Sequence, residues 1–73
     1  MRRMEQMRDV INRGGQYYFV STNDVPYTGF ETMIFPCNKD GEVTNWGELY
    51  CDRYDTVLEA TVGHTRAINN FQP

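Results

Sequence analysis

The sequence predicts an α+β domain: a three-stranded antiparallel sheet with a C-terminal helix on one face and a short N-terminal helix. Three observations carry that expectation. QYYFVST (16–22) and FETMIFPC (30–37) are dense in the aromatic and β-branched residues that suit a pleated, half-buried surface. ELYCDRY (48–54) reads as a third strand of the same kind. Beyond Thr56 the apolar residues switch to helical spacing.

At the N-terminus, Met4, Met7, Val10 and Ile11 fall at helical spacing and Gly14-Gly15 supplies a stop. This predicts an amphipathic helix over about 3–12, so the chain divides into a helical arm (1–15) and a small α+β domain (16–73). NDVPYTG (23–29) carries the asparagine, proline and glycine of a loop. Pro36 falls near the end of the second strand, where an edge or bulge tolerates a residue without an N–H. The last element has the clearest start: Thr56 and Glu59 have capping-box spacing, and Asp55 suits the positive helix end. Val57, Ala60, His64, Ala67, Ile68 and Phe71 then form one stripe of a helix over 56–70.

Strand alternation sorts side chains onto two faces. One holds Phe19, Met33, Phe35, Cys37, Leu49 and Cys51, and is the expected seat of the C-terminal helix. The other holds Tyr18, Val20, Thr32, Ile34, Tyr50 and Tyr54. That second face is too apolar to stand in water, so the N-terminal helix or a second chain is expected to cover it.

A chain of 73 residues forms one domain and buries only about 60% of its unfolded surface. It has little material for a deep catalytic cleft. The net charge of −3 is unevenly spread. Arg2, Arg3, Arg8 and Arg13 outweigh Glu5 and Asp9 in the first fifteen residues, whereas the remainder is strongly acidic. An acidic body repels phosphate, so nucleic-acid binding is disfavoured. No window has the apolar length of a bilayer span, and the start has no apolar core of a secretory signal. The expectation is a cytoplasmic protein with reduced cysteines and no membrane association.

CNKDGEVTNWGELYC (37–51) is the stretch that most suggests chemistry. Aligning Gly41 with the invariant glycine of a helix-flanked calcium loop puts Asn38 and Asp40 at ligand positions. It also puts Pro36 at the first ligand position and Gly47 at the last, which removes the bidentate clamp. Asp40-Gly41 is instead a signal for a tight hairpin turn of the primed type. Cys37, Cys51 and His64 fall one ligand short of a zinc site and lack paired-cysteine spacing. The cysteines read as small core residues, with a cross-strand thiol pair open if the hairpin is long. A thiol or metal-dependent enzyme built on these three residues lacks an activating motif. No catalytic residue, metal site or cofactor is therefore predicted. Gly63 is expected to let the helix approach the sheet while His64 satisfies a polar group there. Trp46 is expected to fold over the end of the core, or to serve as a partner hot spot.

Glu31-Thr32-Met33 with Phe35, Asp40-Gly41, Trp46 with Glu48-Leu49, Arg53-Tyr54 with Thr56, Glu59-Ala60 and Gly63-His64 occur in that order. This pattern resembles a group of small uncharacterised bacteriophage proteins, notably from phages of actinobacteria. The resemblance covers about half the chain. It implies a phage origin and the cytoplasm of a bacterial host, and it transfers no activity. Together these observations predict a non-enzymatic interaction protein that binds a host or phage protein, or a second copy of itself. The candidate contacts are Tyr18, Tyr50, Tyr54 and Trp46, with Met4 and Met7 of the arm. The alternative is nucleic-acid binding through Arg2, Arg3, Arg8 and Arg13, or acidic mimicry of a nucleic acid.

Overall fold

A computed structural model describes residues 6–73. Its element order is β1 (Met7–Arg13), β2 (Gln16–Val25), β3 (Gly29–Cys37), β4 (Tyr50–Tyr54) and α1 (Val57–Asn70). The α+β class holds, with a four-stranded antiparallel sheet in the order β1-β2-β3-β4 and one helix after it.

The expected N-terminal helix is replaced, over its described part, by strand β1. The same letters satisfy both periods: Met7, Asp9, Ile11 and Arg13 fall on one side of the strand, and Arg8, Val10 and Asn12 on the other. Gly14-Gly15 decides between them. Arg13 pairs with Gln16 across a two-residue connection in which both glycines have positive φ (63° and 86°). That is the geometry of a primed hairpin turn, whose twist matches that of the strands it joins, and glycine adopts it without steric cost. What reads as a helix stop is a hairpin. Met4, Arg2 and Arg3 lie outside the described residues.

The helix matches its expected bounds. Thr56 is the N-cap, its hydroxyl oxygen accepting from Glu59 N at 3.1 Å, and the Glu59 carboxylate accepts from the same hydroxyl. The face it covers is the reverse of the expected one. α1 packs on Tyr18, Val20, Thr22, Thr32 and Ile34, and the core cluster is Tyr18, Val20, Ile34, Ala67 and Phe71, with Ile11, Tyr50 and Ile68 around it. Tyr18 and Phe71 meet edge to face at 5.0 Å. The reason lies in the helix stripe. Ala60, Gly63 and Ala67 are small, so the buried volume must come from large residues on the sheet.

The opposite face is partly covered by the chain between β3 and β4. Asn38 starts a tight reversal there: its Oδ1 accepts from Asp40 N and Glu42 N, and Asn38 N donates to Glu42 O. Only Gly41 has positive φ (85°), so the turn is not the primed type expected from Asp-Gly. The loop then runs back along β3, with Cys37 bridging to Val43 and Thr44 N donating to Pro36 O at 3.0 Å. The reversal leaves Gly41 beside the Val10 side chain of β1. The calcium-like letters therefore form a turn, as expected, and its asparagine caps its own backbone.

Candidate functional site

His64 sits at the centre of a polar line through the core. Its position follows from the helix stripe, with Gly63 before it and Ala60 and Ala67 a turn away on either side. His64 Nδ1 is 2.6 Å from Thr22 Oγ1, and Thr22 Oγ1 is 2.5 Å from Thr32 Oγ1. His64 Nε2 is 2.7 Å from Asp9 Oδ2. A carboxylate only accepts, so Nε2 carries the hydrogen toward Asp9. With the ring's single hydrogen on Nε2, Nδ1 is left to accept from the Thr22 hydroxyl, which accepts in turn from Thr32. Thr32 also bonds the hydroxyl of Tyr54, which is linked to Tyr50. Burial, followed by the Tyr50 hydrogen bond and nearby negative charge, pushes the Tyr54 phenol up to about 12. Gly63 makes this packing feasible, because a Cβ there would collide with the Tyr54 ring.

Carboxylate, imidazole and hydroxyl in this order are the parts of a nucleophile relay. Here the hydroxyl end is sealed: Thr22 and Thr32 have no exposed surface, so no carbonyl or phosphoryl group reaches either oxygen. At the other end of the imidazole, the Asp9 carboxylate meets water. The chemistry available to the line is to satisfy buried polar atoms and hold α1, β1, β2 and β3 in register. Among the described residues no buried side-chain nitrogen or oxygen lacks a partner.

The cysteines do not combine with it. Cys51 stands opposite Met33 and Cys37 opposite Tyr17, so they lie four residues apart along the sheet. At roughly 3.4 Å per residue they are about 14 Å apart along the strands, too far for a disulfide. Cys37 is buried as expected, whereas Cys51 is exposed. Burial raises the Cys37 thiol. Burial and then the Glu31 charge raise that of Cys51, so neither is activated as a nucleophile. No group of three or more His, Cys, Asp or Glu side chains among the described residues is placed to hold a metal.

The predicted partner-binding tyrosines are not a free surface. Tyr18 is buried in the core, Tyr50 packs against it half-buried, and Tyr54 lies under Gly63. They were misplaced because the sequence shows that two faces exist but not which one the helix takes. Met7 is half-buried on the first strand rather than on a helical arm. The described arginines do not form a basic patch. Arg13 reaches across to cap the Ile68 carbonyl of α1, and Arg8 points to the other side of the sheet. Arg53 is paired with Glu31 at 3.0 Å.

Trp46 keeps its place as a candidate, and the structure gives it a seat. Its ring packs edge to face on the buried Phe35 at 5.1 Å while 70% of the residue stays exposed. Trp46 thus folds over the open face of the sheet, as one of its two expectations had it, while most of its surface stays exposed. Val10 and Leu49 are also large apolar residues left exposed around the sheet. Phe35 was not singled out from the sequence as Trp46's partner, nor were Asp9 and Thr22 as partners of His64. The one available signal was the hydroxyl pair Ser21-Thr22 directly after the apolar run YYFV (17–20).

No family model, no curated protein and no solved structure matches this chain. No helix among the described residues is long and apolar enough to cross a membrane.

Proposed function

We propose that the chain is a non-enzymatic protein-binding domain, encoded by a bacteriophage, that engages a host or phage protein in the bacterial cytoplasm. The phage origin rests on the sequence pattern from Glu31 to His64. The observation that carries the binding reading is Trp46, a mostly exposed indole seated edge to face on the buried Phe35 ring. An exposed aromatic with an apolar seat beneath it is the form an interface anchor takes, because the ring offers a large apolar area with only two side-chain torsions to fix. The hydroxyls of the polar line, Thr22 and Thr32, are sealed and offer a substrate no entry, which favours binding over catalysis. The test is affinity capture from a bacterial host lysate, with and without nuclease, using the intact chain and Trp46→Ser. A protein held by the intact chain in both conditions and lost with Trp46→Ser is the expected result. A haul that disappears with nuclease, or one indifferent to Trp46, refutes it.

A further inference from the structure

The helix has a second face. Ala60, Gly63, His64 and Ala67 are buried against the sheet, while Leu58, Val62, Thr65 and Asn69 are turned outward and exposed. Their spacing of four, three and four residues is that of one seam of a heptad repeat. Leu58 is 73% exposed and Val62 46%, so the apolar part of the seam faces water. Two charged residues, Glu59 and Arg66, flank the seam, and their seven-residue separation puts them on the same flank. Thr61 and Ile68 occupy the other flank. Arg66 makes no ion pair among the described residues.

We infer that this face binds a second copy of the chain, helix against helix and antiparallel, about a two-fold axis between Val62 and Thr65. The charges decide both occupant and direction. When two such helices pack antiparallel, like flanks meet, so Glu59 of each copy comes beside the partner's Arg66, and symmetry makes the pair twice. A parallel arrangement brings unlike flanks together and sets Glu59 and Arg66 beside the uncharged Thr61 and Ile68 flank of the other copy. The helix dipoles also oppose one another in the antiparallel arrangement. α1 is already fixed on its sheet by Phe71, Ala67 and His64, so the association costs little ordering. Two heptads bury an area below about 1,200 Å², which makes a weak, reversible dimer. This surface is separate from the one around Trp46 and stands independently of the partner-binding reading.

Sedimentation equilibrium of the full chain, from about 10 μM to about 1 mM, tests the inference in the range where a weak dimer dissociates. The intact chain is expected to fit a monomer–dimer equilibrium. Val62→Glu and Leu58→Glu are expected to be monomeric with an unchanged helical circular dichroism signal, because both positions are exposed. Arg66→Glu and Glu59→Arg each raise the dissociation constant about tenfold, and the double reversal returns it to within about threefold of the original. A thermal melt of each variant checks that the altered Thr56–Glu59 cap has not unfolded the helix. A chain that stays monomeric throughout overturns the proposal. So does a dimer that survives Val62→Glu, a double reversal no better than the single changes, or a dimer abolished by Trp46→Ser.

Discussion

His64 Nε2 and Asp9 Oδ2 stand 2.7 Å apart although 55 residues separate them in the chain. The contact joins the first strand to the only helix among the described residues. It also explains how an edge strand with few apolar residues is held in place. β1 is anchored by Asp9 on His64 and by Arg13 on the Ile68 carbonyl, in addition to its ladder with β2. The imidazole therefore works as a clasp whose inner end is closed by Thr22 and Thr32.

Thr22→Val tests the clasp. The substitution keeps the shape of the side chain but leaves His64 Nδ1 without a donor in a site closed to water. An orphaned buried polar atom costs about 1–3 kcal/mol, and that is the expected loss in urea unfolding. Asp9→Asn is expected to cost less, because the amide oxygen still accepts from Nε2 and the position is half-exposed. If Thr22→Val unfolds at the same urea concentration as the original, the polar line contributes nothing to stability.

Gly63→Ala makes a sharper case, because two effects of known sign oppose each other. Alanine is favoured over glycine inside a helix by about 1 kcal/mol. Here its methyl would enter the Tyr54 ring, and forcing extra volume into a packed contact costs about 1–3 kcal/mol. Net destabilisation is expected. In a Tyr54→Ala background, where the ring is gone, the same change should become neutral or stabilising. A double-mutant cycle with no coupling between positions 54 and 63 would refute the contact.

How far these contacts were legible in advance depends on the range over which each is determined. The helix, its Thr56–Glu59 cap and the Gly63-His64 approach are set by residues within a few turns of one another, and they appear as read. β1 was not legible, because a seven-residue segment with Met7, Val10 and Ile11 suits either period. The choice between them falls to two glycines whose positive φ the letters do not display. The covered face was misread for a different reason. Alternation shows which residues share a side, while the side taken by α1 depends on matching a flat Ala-Gly-His-Ala surface to bulky tyrosines and to the Thr22–Thr32 pair. Asp9 could not be placed beside His64 until β1 was a strand.

Tyr27 stands at the tip of the β2–β3 turn with φ of 68° and its side chain fully exposed. A non-glycine residue in the left-handed region costs about 1 kcal/mol, and asparagine tolerates that region better. Tyr27→Asn is therefore expected to raise the unfolding free energy by about 0.5 kcal/mol, with glycine acting in the same direction. A lower melting temperature for Tyr27→Asn would mean that the ring makes a stabilising contact.

The two thiols should separate cleanly under a disulfide-exchange reagent. Cys51 is exposed and Cys37 is buried, with no bridge between them. One equivalent is expected to react in the native protein, at Cys51, and the second only after unfolding. Because burial and the Glu31 charge raise the Cys51 thiol, its reaction at pH 8 should be slower than that of free cysteine. Glu31→Gln removes the acidic neighbour and should accelerate it. Two fast equivalents would mean that the end of β3 opens readily.

Alkaline unfolding offers a test of Tyr54 with a defined sign. The fold favours the neutral phenol, raising it from 10.0 to about 12 through burial and then the bond to Tyr50. Below pH 10 the phenol is protonated in both folded and unfolded chains, and its contribution to stability is fully present. Between pH 10 and about 12 the unfolded chain releases the proton while the folded chain retains it, so the unfolding free energy falls as pH rises. Above about 12 both forms are ionised and the contribution is gone. Urea midpoints measured across this window should decline more steeply for the intact chain than for Tyr54→Phe. The cysteines, whose thiols are also raised, contribute equally to both proteins and cancel in the difference. Identical slopes would place the Tyr54 hydroxyl in water rather than against Thr32 and the helix.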